Sequence, residues 1–496
     1  MKTLCAPLFC VSLHAATYDV KTYGATGDGK TLDTAAINKA IDAAAAAGGG
    51  EVRFSAGTYV AGSIHLKSHI ALYIDAGATI EASTDPQAYD EAEPNQWEKY
   101  QDFGHNHFHN SLIWGENLED VAILGPGRIF GKGLTRRGGQ REGNKAIGLK
   151  LSRNVIIRDI TILMGGHFAI LATGVDNLTI DNLKIDTNRD GIDIDACRNV
   201  RISNTSVNAL NDDAIVIKSS YALGFFRDVE NLTITNCQVS GFDPGTFLDG
   251  TFKTSIAAAP DREPPTGRIK LGTESSGGFK NVTISNCVFV HSRGLALETV
   301  DGGSLEGIAI TNITMRDITN APIFLRLGSR MRSPGGTPVG VMRRIEISHI
   351  VVYDADPRQA SIISGIPGHD IEDVKLSDIR IYYRGGGTKE QAALEPAENE
   401  AKYPEPVMFG VIPAYGFFIR HVKGIELRNI EVSYAKEDLR PAFLLMSVTD
   451  AEFTHVRAQH AKDVPTFVLK DVADITVRQS RGLADTHVDS AKQKVM

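Results

Sequence analysis

Residues 154–202 read NVIIRDITILMGGHFAILATGVDNLTIDNLKIDTNRDGIDIDACRNVRI, and this stretch decides the fold. One phrase occurs in it as NVII at 154, NLTI at 177 and NVRI at 199, with Val, Ile or Leu alternating with other residues. Alternation with a period of two is typical of a strand with one buried face. The copies begin at Asn154, Asn177 and Asn199, so they are 23 and 22 residues apart. No helical spacing separates them, which predicts strands stacked coil upon coil.

The phrase recurs along most of the chain. Further copies are DVAI at 120, NLTI at 231, NVTI at 281, GIAI at 307, RIEI at 344, DVKL at 373, GIEL at 424 and DITV at 474. Strands that return about every 22 residues without intervening helices are typical of a solenoid. The predicted fold is therefore all-β, a single-stranded right-handed parallel β-helix. Because asparagine tolerates the left-handed backbone conformation at turns, the repeated asparagines are expected to align as a ladder.

One convincing helix is predicted, over residues 33–47. Its apolar face would consist of Ile37, Ala40, Ile41 and Ala44, with Asp33 or Thr34 as the N-cap and Gly48 at the end. We expect this short helix to cap the open N-terminal end of the solenoid, where unpaired strand edges otherwise invite aggregation.

The chain divides into a leader, a long repeat region and a tail. Residues 1–16 combine a positive start with an apolar stretch at 4–13 and small residues at 15 and 16, a pattern that predicts a signal peptide. The alternative is a buried N-terminal strand. Residues 17–481 would form the β-helix catalytic domain, and the polar C-terminal tail, 482–496, is expected to fray. A signal peptide predicts a secreted or periplasmic protein.

Composition excludes several classes of function. Of 496 residues 42% are hydrophobic, enough for a large core, and no uninterrupted apolar segment is long enough for a membrane span. With 52 basic and 60 acidic residues the net charge is −8, which provides no electrostatic footprint for nucleic acid. After removal of the leader, Cys197, Cys237 and Cys287 remain, without a CxxC pair, and are interpreted as structural thiols. The oligomeric state is not indicated.

Carboxylates concentrate on two neighbouring coils. Asp190 and Asp212 are 22 residues apart, the repeat length itself, and Asp213 follows directly. On adjacent strands they would lie about 5 Å apart, and their repulsion would raise the pKa of at least one. One protonated and one ionised carboxyl group is what glycoside hydrolysis needs. Two alternatives remain at this point, a Ca²⁺ site made of Asp and Asn oxygens and ordinary turn aspartates.

Three segments carry a resemblance to a known family. YGATGDGKTLDT at 23–34, NRDGID at 188–193 and NDDAIVIKS at 211–219 resemble motifs of glycoside hydrolase family 28, the polygalacturonase and rhamnogalacturonase family. The likeness covers roughly residues 18–480. It implies a right-handed β-helix and inverting hydrolysis of α-linked uronic-acid polymers, with no metal and no cofactor. By position, Asp212 would be the general acid, while Asp190 and Asp213 would position and activate water.

The chain departs from the family pattern beyond these motifs. Residues 266–268 hold no histidine where the family has Gly-His-Gly. The Arg-Ile-Lys motif of the family is present as Arg268-Ile-Lys270, but one coil early, and Ala296 and Glu298 stand at the expected position. In the family those cations grip the galacturonate carboxylate of the leaving-group subsite. Glu298 would repel it, at a cost of several kcal/mol at about 4 Å and an effective dielectric constant near 20. The leaving-group sugar is therefore expected to be neutral, as rhamnose is.

Other residues are candidates for substrate binding. The carboxylate of the cleaved galacturonate requires a cation, for which the candidates are Lys218, Arg268 and Lys270. Asn188 and His167 are expected to border the cleft; a structural role for His167 is the alternative. Less specific candidates are the basic group Arg326, Arg330 and Arg332 (cleft or solvated face), the set His105, His107 and His109 (zinc ligands or a loop at the sugar site), and Trp97 and Trp114 (sugar stacking or burial).

The sequence therefore predicts a secreted, pectin-degrading glycoside hydrolase that releases galacturonic acid from rhamnogalacturonan-type chains. Exo action is favoured because LGTESSGG at 271–278 resembles exo-acting members and because insertions at 242–267 and 384–416 would block one end of a groove. The alternatives are an exo-polygalacturonase acting on homogalacturonan, a β-helix polysaccharide lyase that needs Ca²⁺ and a basic residue, and a non-catalytic carbohydrate-binding solenoid.

Overall fold

The computed structural model describes residues 16–101, 104–135, 142–255 and 265–496. The predicted signal peptide lies outside the described residues except for Ala16 and stays a prediction. Within the described part of the chain, no helix has the length and apolar content needed to cross a bilayer.

Strands dominate the chain and are numbered here in chain order. The first twenty-two are β1 Thr17–Asp19, β2 Asp28–Leu32, β3 Gly50–Phe54, β4 Gly57–Ala61, β5 Ile64–His65, β6 Ile70–Ile74, β7 Ala78–Ala82, β8 Ile113–Glu116, β9 Glu119–Leu124, β10 Arg128–Phe130, β11 Lys145–Lys150, β12 Arg153–Arg158, β13 Thr161–Leu163, β14 Phe168–Thr173, β15 Asp176–Asp181, β16 Lys184–Thr187, β17 Asp190–Asp195, β18 Arg198–Ser203, β19 Ser206–Ala209, β20 Ile215–Ser219, β21 Val229–Thr235 and β22 Gln238–Ser240. The remainder are β23 Ile269–Ser275, β24 Phe279–Ser292, β25 Leu295–Thr299, β26 Ser304–Ile318, β27 Ile323–Leu327, β28 Val341–Ala355, β29 Ser361–Ser364, β30 Ile371–Gly385, β31 Phe417–Lys436, β32 Phe443–Thr454, β33 Arg457–Ala458, β34 Phe467–Arg478 and β35 Thr486–Val495. Two α-helices are described, α1 Thr34–Ala46 and α2 Lys389–Ala392, with 3₁₀ turns at Val20–Tyr23, Pro86–Ala88, Glu98–Tyr100 and Pro406–Phe409.

The strands stack in parallel into three sheets around one core, which confirms the right-handed parallel β-helix. Sheet 1 runs β5-β8-β11-β14-β17-β20-β23-β25-β27-β29 and ends in β31, β32 and β34. Sheet 2 contains β12, β15, β18 and β21, and sheet 3 contains β13, β16, β19 and β22. The later strands β24, β26, β28 and β30 are long enough to bend from sheet 2 into sheet 3. Inward-facing Ile, Val and Leu from every coil form the continuous core.

The predicted asparagine ladder is confirmed. Asn154, Asn177, Asn199, Asn231 and Asn281 all have φ between +53° and +58°. Each side-chain amide donates to the side-chain oxygen one coil below, for example Asn177 to Asn154 at 3.0 Å and Asn199 to Asn177 at 3.2 Å. The ladder continues through Asn231 and Asn281 at 3.1 and 3.2 Å. A left-handed turn and a lateral hydrogen bond therefore recur together on the coils from Asn154 to Asn281.

Helix α1 buries the predicted face, Ile37, Ala40, Ile41 and Ala44, in the first coils of the core. Asp33 occupies the predicted N-cap position, but its side chain makes no hydrogen bond to the first turn of the helix. The carboxylate of Asp33 instead accepts the backbone N–H groups of Thr26 and Gly27, at 2.7 and 3.0 Å. The hydroxyl of Thr34 accepts the N–H of Gly62. Both side chains tie the helix to neighbouring turns, so they are not available to its own first turn.

The prediction of a frayed tail is also wrong. Residues Thr486–Val495 form strand β35, which pairs antiparallel with β34 along most of its length. Alternation within the tail is weak and polar, so periodicity alone did not reveal a strand. The cysteines behave as expected: Cys197, Cys237 and Cys287 are buried free thiols.

The long connections leave the coil at one corner, between sheet 3 and sheet 1. They are the 83–112 loop, the 241–268 loop and the 386–416 loop. The segment 210–214, which carries Asp212 and Asp213, lies at the same corner, between β19 and β20. The corner therefore places the acidic motifs beside the loops that cover the outer face of sheet 1.

Candidate active site

The outer face of sheet 1 is polar where the two aspartate motifs lie. In β17, Ile192 and Ile194 belong to the core, so Asp193 and Asp195 point to the opposite face. Strand register places Asp195 beside Lys218 of β20. These strands are buried on both faces because loops cover the outer one.

Asp190, Asp212 and Asp213 converge at the corner of this sheet. One oxygen from each carboxylate lies within 4.8 Å of the other two. The backbone N–H of Asp213 donates both to Asp190 Oδ1 and to Asp212 Oδ1, at 3.2 Å each. The three residues are only 3%, 4% and 2% exposed, respectively. The coil-spacing argument therefore predicted the cluster correctly.

The surroundings shift the pKa values of Asp190 and Asp213 in opposite directions. Burial raises the pKa of Asp190 to about 8, and repulsion from Asp212 adds to the shift. Burial alone would also raise the pKa of Asp213, but the charges of Lys270 and Arg268 hold it below its usual value. Arg189 donates to Asp212 Oδ2 at 2.6 Å. Asp190 therefore holds a proton near neutral pH, whereas Asp213 is ionised.

Two cations from β23 and the turn before it bind Asp213. Arg268 Nε donates to Asp213 Oδ1, and Lys270 Nζ lies on Oδ2, both at 2.8 Å. Arg268 also forms a fork to Glu405 of the 386–416 loop, at 2.7 and 3.3 Å. Arg293 approaches the same Glu405 carboxylate at 2.9 Å. All three cations are buried and ion-paired.

Glu298 stands one coil further along, fully buried. Its Oε1 is 3.9 Å from Arg268 NH2, and its Oε2 accepts from Thr273 Oγ1 at 3.4 Å. Burial raises the pKa of Glu298 to about 7, against the opposing charges of Lys270 and Arg268. Its negative charge is therefore incomplete at neutral pH.

A second buried ion-pair group lies on the other side of the aspartates. Lys218 Nζ is 2.7 Å from Asp193 Oδ2 and 3.7 Å from Glu274 Oε2. His105 Nε2 lies 3.2 Å from the same Asp193 oxygen. Burial would lower the pKa of Lys218, but Asp193, Asp190 and Glu274 together raise it well above its usual value. Lys218 is therefore a permanent positive charge beside Asp190.

Loops cover the outer face of sheet 1 on both sides of the cluster. Phe409 and Ile412 of the 386–416 loop pack on Phe324 and Ile362 of sheet 1 in a small apolar core. On the N-terminal side, Phe108 of the 83–112 loop packs on Phe168 and Leu171. Loop residues therefore lie on the outer face of sheet 1 both before and after the aspartate cluster along the solenoid axis.

The three aspartate oxygens are close enough to hold a cation, so the calcium alternative was tested on the donor set. Both oxygens of Asp213 face protein cations, as does Oδ2 of Asp212. A metal ion would compete with Arg189, Arg268 and Lys270 for these lone pairs. The arrangement fits proton transfer better than a Ca²⁺ site, which uses six to eight oxygen ligands.

Two family models and several curated proteins match this chain. Residues 17–112 match a family model described as rhamnogalacturonase A/epimerase, pectate lyase-like, and residues 139–257 match one described as right handed beta helix region. A probable polygalacturonase of Vitis vinifera is 25% identical over 394 residues, which is 74% of this chain and 74% of that protein. These matches support a member of glycoside hydrolase family 28. The chain is thus a glycoside hydrolase, an enzyme that cleaves O-glycosyl bonds.

Solved structures of other proteins share the fold of this chain. The hyperthermoactive exopolygalacturonase of Thermotoga maritima superposes with a TM-score of 0.63 at 19% identity, covering 84% of this chain and 92% of that one. The family 28 exopolygalacturonase of Yersinia enterocolitica gives 0.66 at 16% identity, over 88% and 78% of the two chains. At this identity the likeness shows a shared fold.

Strand register places Arg268 and Lys270 relative to the aspartates. Lys270 pairs with Val216, one coil after the Asp212–Asp213 turn, and Ala296 pairs with Lys270 one coil further on. Lys270 is therefore one coil nearer to the aspartates than Ala296 and Glu298, and it contacts Asp213 directly, as Arg268 does. The departure from the family motif stays a prediction.

Two other candidates lie close to the cluster. Phe168 pairs with Asp190, so His167 lies on the coil before it, where its ring stacks on Phe168 at 4.3 Å. Asn188 is half-buried and its carbonyl accepts the N–H of Asn211. Both positions agree with the sequence-based placement; their contact with a substrate stays a prediction.

Two sequence hypotheses are wrong. The zinc hypothesis fails for the described residues because 104–110 form an irregular loop and the imidazoles diverge: His105 faces Asp193, His107 faces Glu98 and His109 faces Glu116. The solvated-face alternative for the basic group also fails. Arg326 is buried against carbonyl groups, Arg330 is bound to Asp301 and Arg332 to Glu274. Trp97 and Trp114 are half-buried.

The sequence did not point to three residues of this site. Asp193 shares the outward parity of Asp195, and that parity was a usable signal. Glu274 is within the LGTESSGG segment but carried no assigned role. Glu405 is 137 residues from Arg268 in a loop without periodicity, so no local pattern could place it.

Proposed function

We propose that this enzyme hydrolyses pectic polysaccharide, releasing galacturonic acid from rhamnogalacturonan-type chains by exo action. The observation that carries the proposal is the convergence of Asp190, Asp212 and Asp213, with one pKa raised and one lowered. Acid and base of opposite protonation state beside one another are the requirement of glycosidic bond cleavage. The pectic substrate is supported by relatives named polygalacturonases.

In this mechanism the Asp190–Asp212 pair supplies the proton to the leaving glycosidic oxygen. Asp212 is the donor that the family resemblance assigns. Asp213, kept ionised by Arg268 and Lys270, orients the attacking water and accepts its proton late in the reaction. An oxocarbenium-like transition state, with most of the bond already broken, needs only such a weak base.

Inversion at the anomeric carbon belongs to the proposal as well. The nearest carboxylate oxygens are within 4.8 Å, which is shorter than the ~6.5–9.5 Å usual between the two carboxyl groups of inverting enzymes. The stereochemistry therefore rests on the family resemblance. Proton NMR of the first-formed product tests it: we expect the β-anomer to appear before mutarotation, and initial release of the α-anomer would refute inversion.

Exo action is supported by the loops that pack on sheet 1. The 386–416 loop packs on Phe324 and Ile362, and the 83–112 loop packs on Phe168, so we expect the path of a long polymer along the outer face of sheet 1 to be narrowed. A chain end is the part of a polymer that enters a narrowed site. An endo-acting enzyme needs a groove open at both ends.

The central experiment incubates the enzyme with rhamnogalacturonan, homogalacturonan and their oligomers, with chromatography of the products over time. We expect galacturonic acid as the sole early product, fastest from rhamnogalacturonan oligomers, and a loss of at least about 10³-fold for Asp212→Asn, since general acid catalysis contributes ~10²–10⁴. Mixed oligomers early in digestion would overturn exo action. Products that absorb in the ultraviolet would indicate a lyase instead, and inactivity on every pectic substrate would refute the proposal.

A further inference from the structure

The carboxylate of Glu405 pairs with the guanidinium groups of Arg268 and Arg293 beside the aspartate cluster. Glu405 extends from the 386–416 loop and accepts two hydrogen bonds from the guanidinium group of Arg268, at 2.7 and 3.3 Å. Arg293 NH1 lies 2.9 Å from its second oxygen. Forked Arg–carboxylate pairing is the geometry by which proteins recognise carboxylate ligands.

Protein carboxylates pair with the cations around Arg268 without any ligand. Its neighbourhood contains three cations, Arg268, Lys270 and Arg293, and three acidic groups, Asp213, Glu298 and Glu405. Asp213 is held by Arg268 and Lys270, and Glu405 by Arg268 and Arg293. A uronate carboxylate entering here would find the guanidinium groups already paired and would meet two further acidic groups.

Glu405 is fixed by its surroundings, so it is not a mobile counter-ion. Glu405 is 6% exposed, and the 3₁₀ turn Pro406–Phe409 follows it directly. The ring of Phe409 lies between the guanidinium groups of Arg326 and Arg420, 5.3 Å from each. The loop that carries Glu405 is therefore anchored in the small apolar core on sheet 1.

We propose that Glu405 is a specificity-determining residue. It neutralises Arg268 and Arg293, so the sugar that binds beside these two arginines, next to the cleaved galacturonate, must be uncharged. The inference rests on the proposed function and deepens it. Oligogalacturonides carry a carboxylate on every ring, whereas alternating rhamnose–galacturonic acid oligomers carry one on every second ring. The second class always offers a neutral sugar next to the cleaved galacturonate.

The experiment compares kcat/KM on these two oligomer classes for wild type, Glu405→Gln and Glu405→Ala. Glu405→Gln removes the charge and keeps the shape, and Glu405→Ala also vacates the space in front of Arg268. We expect the ratio of kcat/KM for oligogalacturonides to that for rhamnogalacturonan oligomers to rise at least tenfold in Glu405→Ala and less in Glu405→Gln. The gain should lie mainly in KM, because binding rather than chemistry changes.

The matched control is Glu398→Gln in the same loop. Glu398 pairs with Arg420 at 3.2 Å and with His421 at 3.1 Å, so its carboxylate neutralises an arginine other than Arg268. We expect this variant to keep the wild-type ratio. A ratio that stays unchanged in both Glu405 variants would overturn the inference, as would an equal rise in Glu398→Gln. If Glu405→Ala does not fold, Glu405→Gln alone decides. A raised ratio then supports the inference, and an unchanged ratio overturns it.

A binding measurement separates this inference from the proposed function. Calorimetric titration with galacturonate, and with galactose as the uncharged probe, needs no turnover. We expect at least a tenfold gain for galacturonate and none for galactose in the Glu405→Ala variant. Such a gain with no hydrolysis of any pectic substrate would refute the proposed function and support the inference. Equal galacturonate affinity in wild type and variant would refute the inference whatever the activity.

Discussion

At the scale of single residues, the site assigns opposite protonation states to carboxyl groups that share one side-chain chemistry. Asp190 is surrounded by buried surface and by the charge of Asp212, which raises its pKa to about 8. Asp213 is buried as deeply but contacts Arg268 and Lys270, and its pKa falls. The difference in pKa therefore comes from the neighbours on the next coil, which are Asp212 for Asp190 and Arg268 and Lys270 for Asp213.

These pKa shifts predict a broad pH profile for kcat/KM. Activity requires the proton on the Asp190–Asp212 pair, so it should fall as pH rises through about 8. It also requires ionised Asp213, so the acid limb should lie below the usual aspartate value of ~3.9. The measurement is initial rate at low substrate concentration between about pH 3 and pH 10. An alkaline limb near pH 5 would contradict the assignment.

Arg189→Gln tests the origin of the alkaline limb. The positive charge of Arg189 lowers the pKa of Asp190, so its removal should move that limb to higher pH. Arg201, exposed on sheet 2, provides the control: Arg201→Gln should leave the profile unchanged. A limb that moves to lower pH in Arg189→Gln would show that another group titrates there.

At the scale of elements, the coil turns combine an unfavourable backbone with a repeated side-chain bond. Asn199 has a φ of +55°, donates to Asn177 at 3.2 Å and accepts from Asn231 at 3.1 Å. The left-handed conformation costs an ordinary side chain ~1–2 kcal/mol, which asparagine and glycine largely avoid. The ladder thus makes the turn position specific for a small set of residues.

Asn199→Ala and Asn199→Gly should separate the two contributions. Both lose the two exposed hydrogen bonds, but only alanine incurs the backbone strain. We expect the free energy of unfolding to fall by about 2 kcal/mol for alanine and about 1 kcal/mol for glycine. Urea unfolding followed by circular dichroism measures both midpoints. Equal losses would show that backbone strain plays no part.

The features that repeat along the sequence could be predicted from it, whereas contacts that involve no repeat were missed. The asparagine phrase and the 22-residue interval from Asp190 to Asp212 are local patterns, and they predicted both the solenoid and the cluster. Glu405, by contrast, reaches Arg268 through a long loop, a contact that depends on how the loop packs on Phe324 and Ile362. Strand β35 was missed for a different reason, because its hydrophobic alternation is only weak.

At the scale of the whole molecule, a parallel solenoid has two open ends, and each is covered differently. Helix α1 covers the first coils through Ile37 and Ile41. At the other end β35 turns back and pairs antiparallel with β34, whose second edge is paired with β32. Unpaired edges are templates for association with other chains. Both covers are therefore expected to keep the protein soluble.

Deletion of residues 483–496 should expose the edge of β34. We expect a lower thermal midpoint and concentration-dependent oligomers in size-exclusion chromatography with light scattering, because the N–H and C=O groups of the edge lose their partners. Lys492→Ala, which removes only an exposed ion pair with Asp471, should behave like wild type. A truncated protein that is monodisperse and equally stable would refute a protective role for β35.

The departure of the 83–112, 241–268 and 386–416 loops from a single corner has a consequence for engineering. Each loop begins and ends on adjacent rungs, whose spacing is set by the backbone ladder and not by the loop. Segments from homologous enzymes could thus be transplanted there one at a time, with the reacting carboxylates left in register. Substrate range and the machinery of bond cleavage would then be adjustable independently of each other.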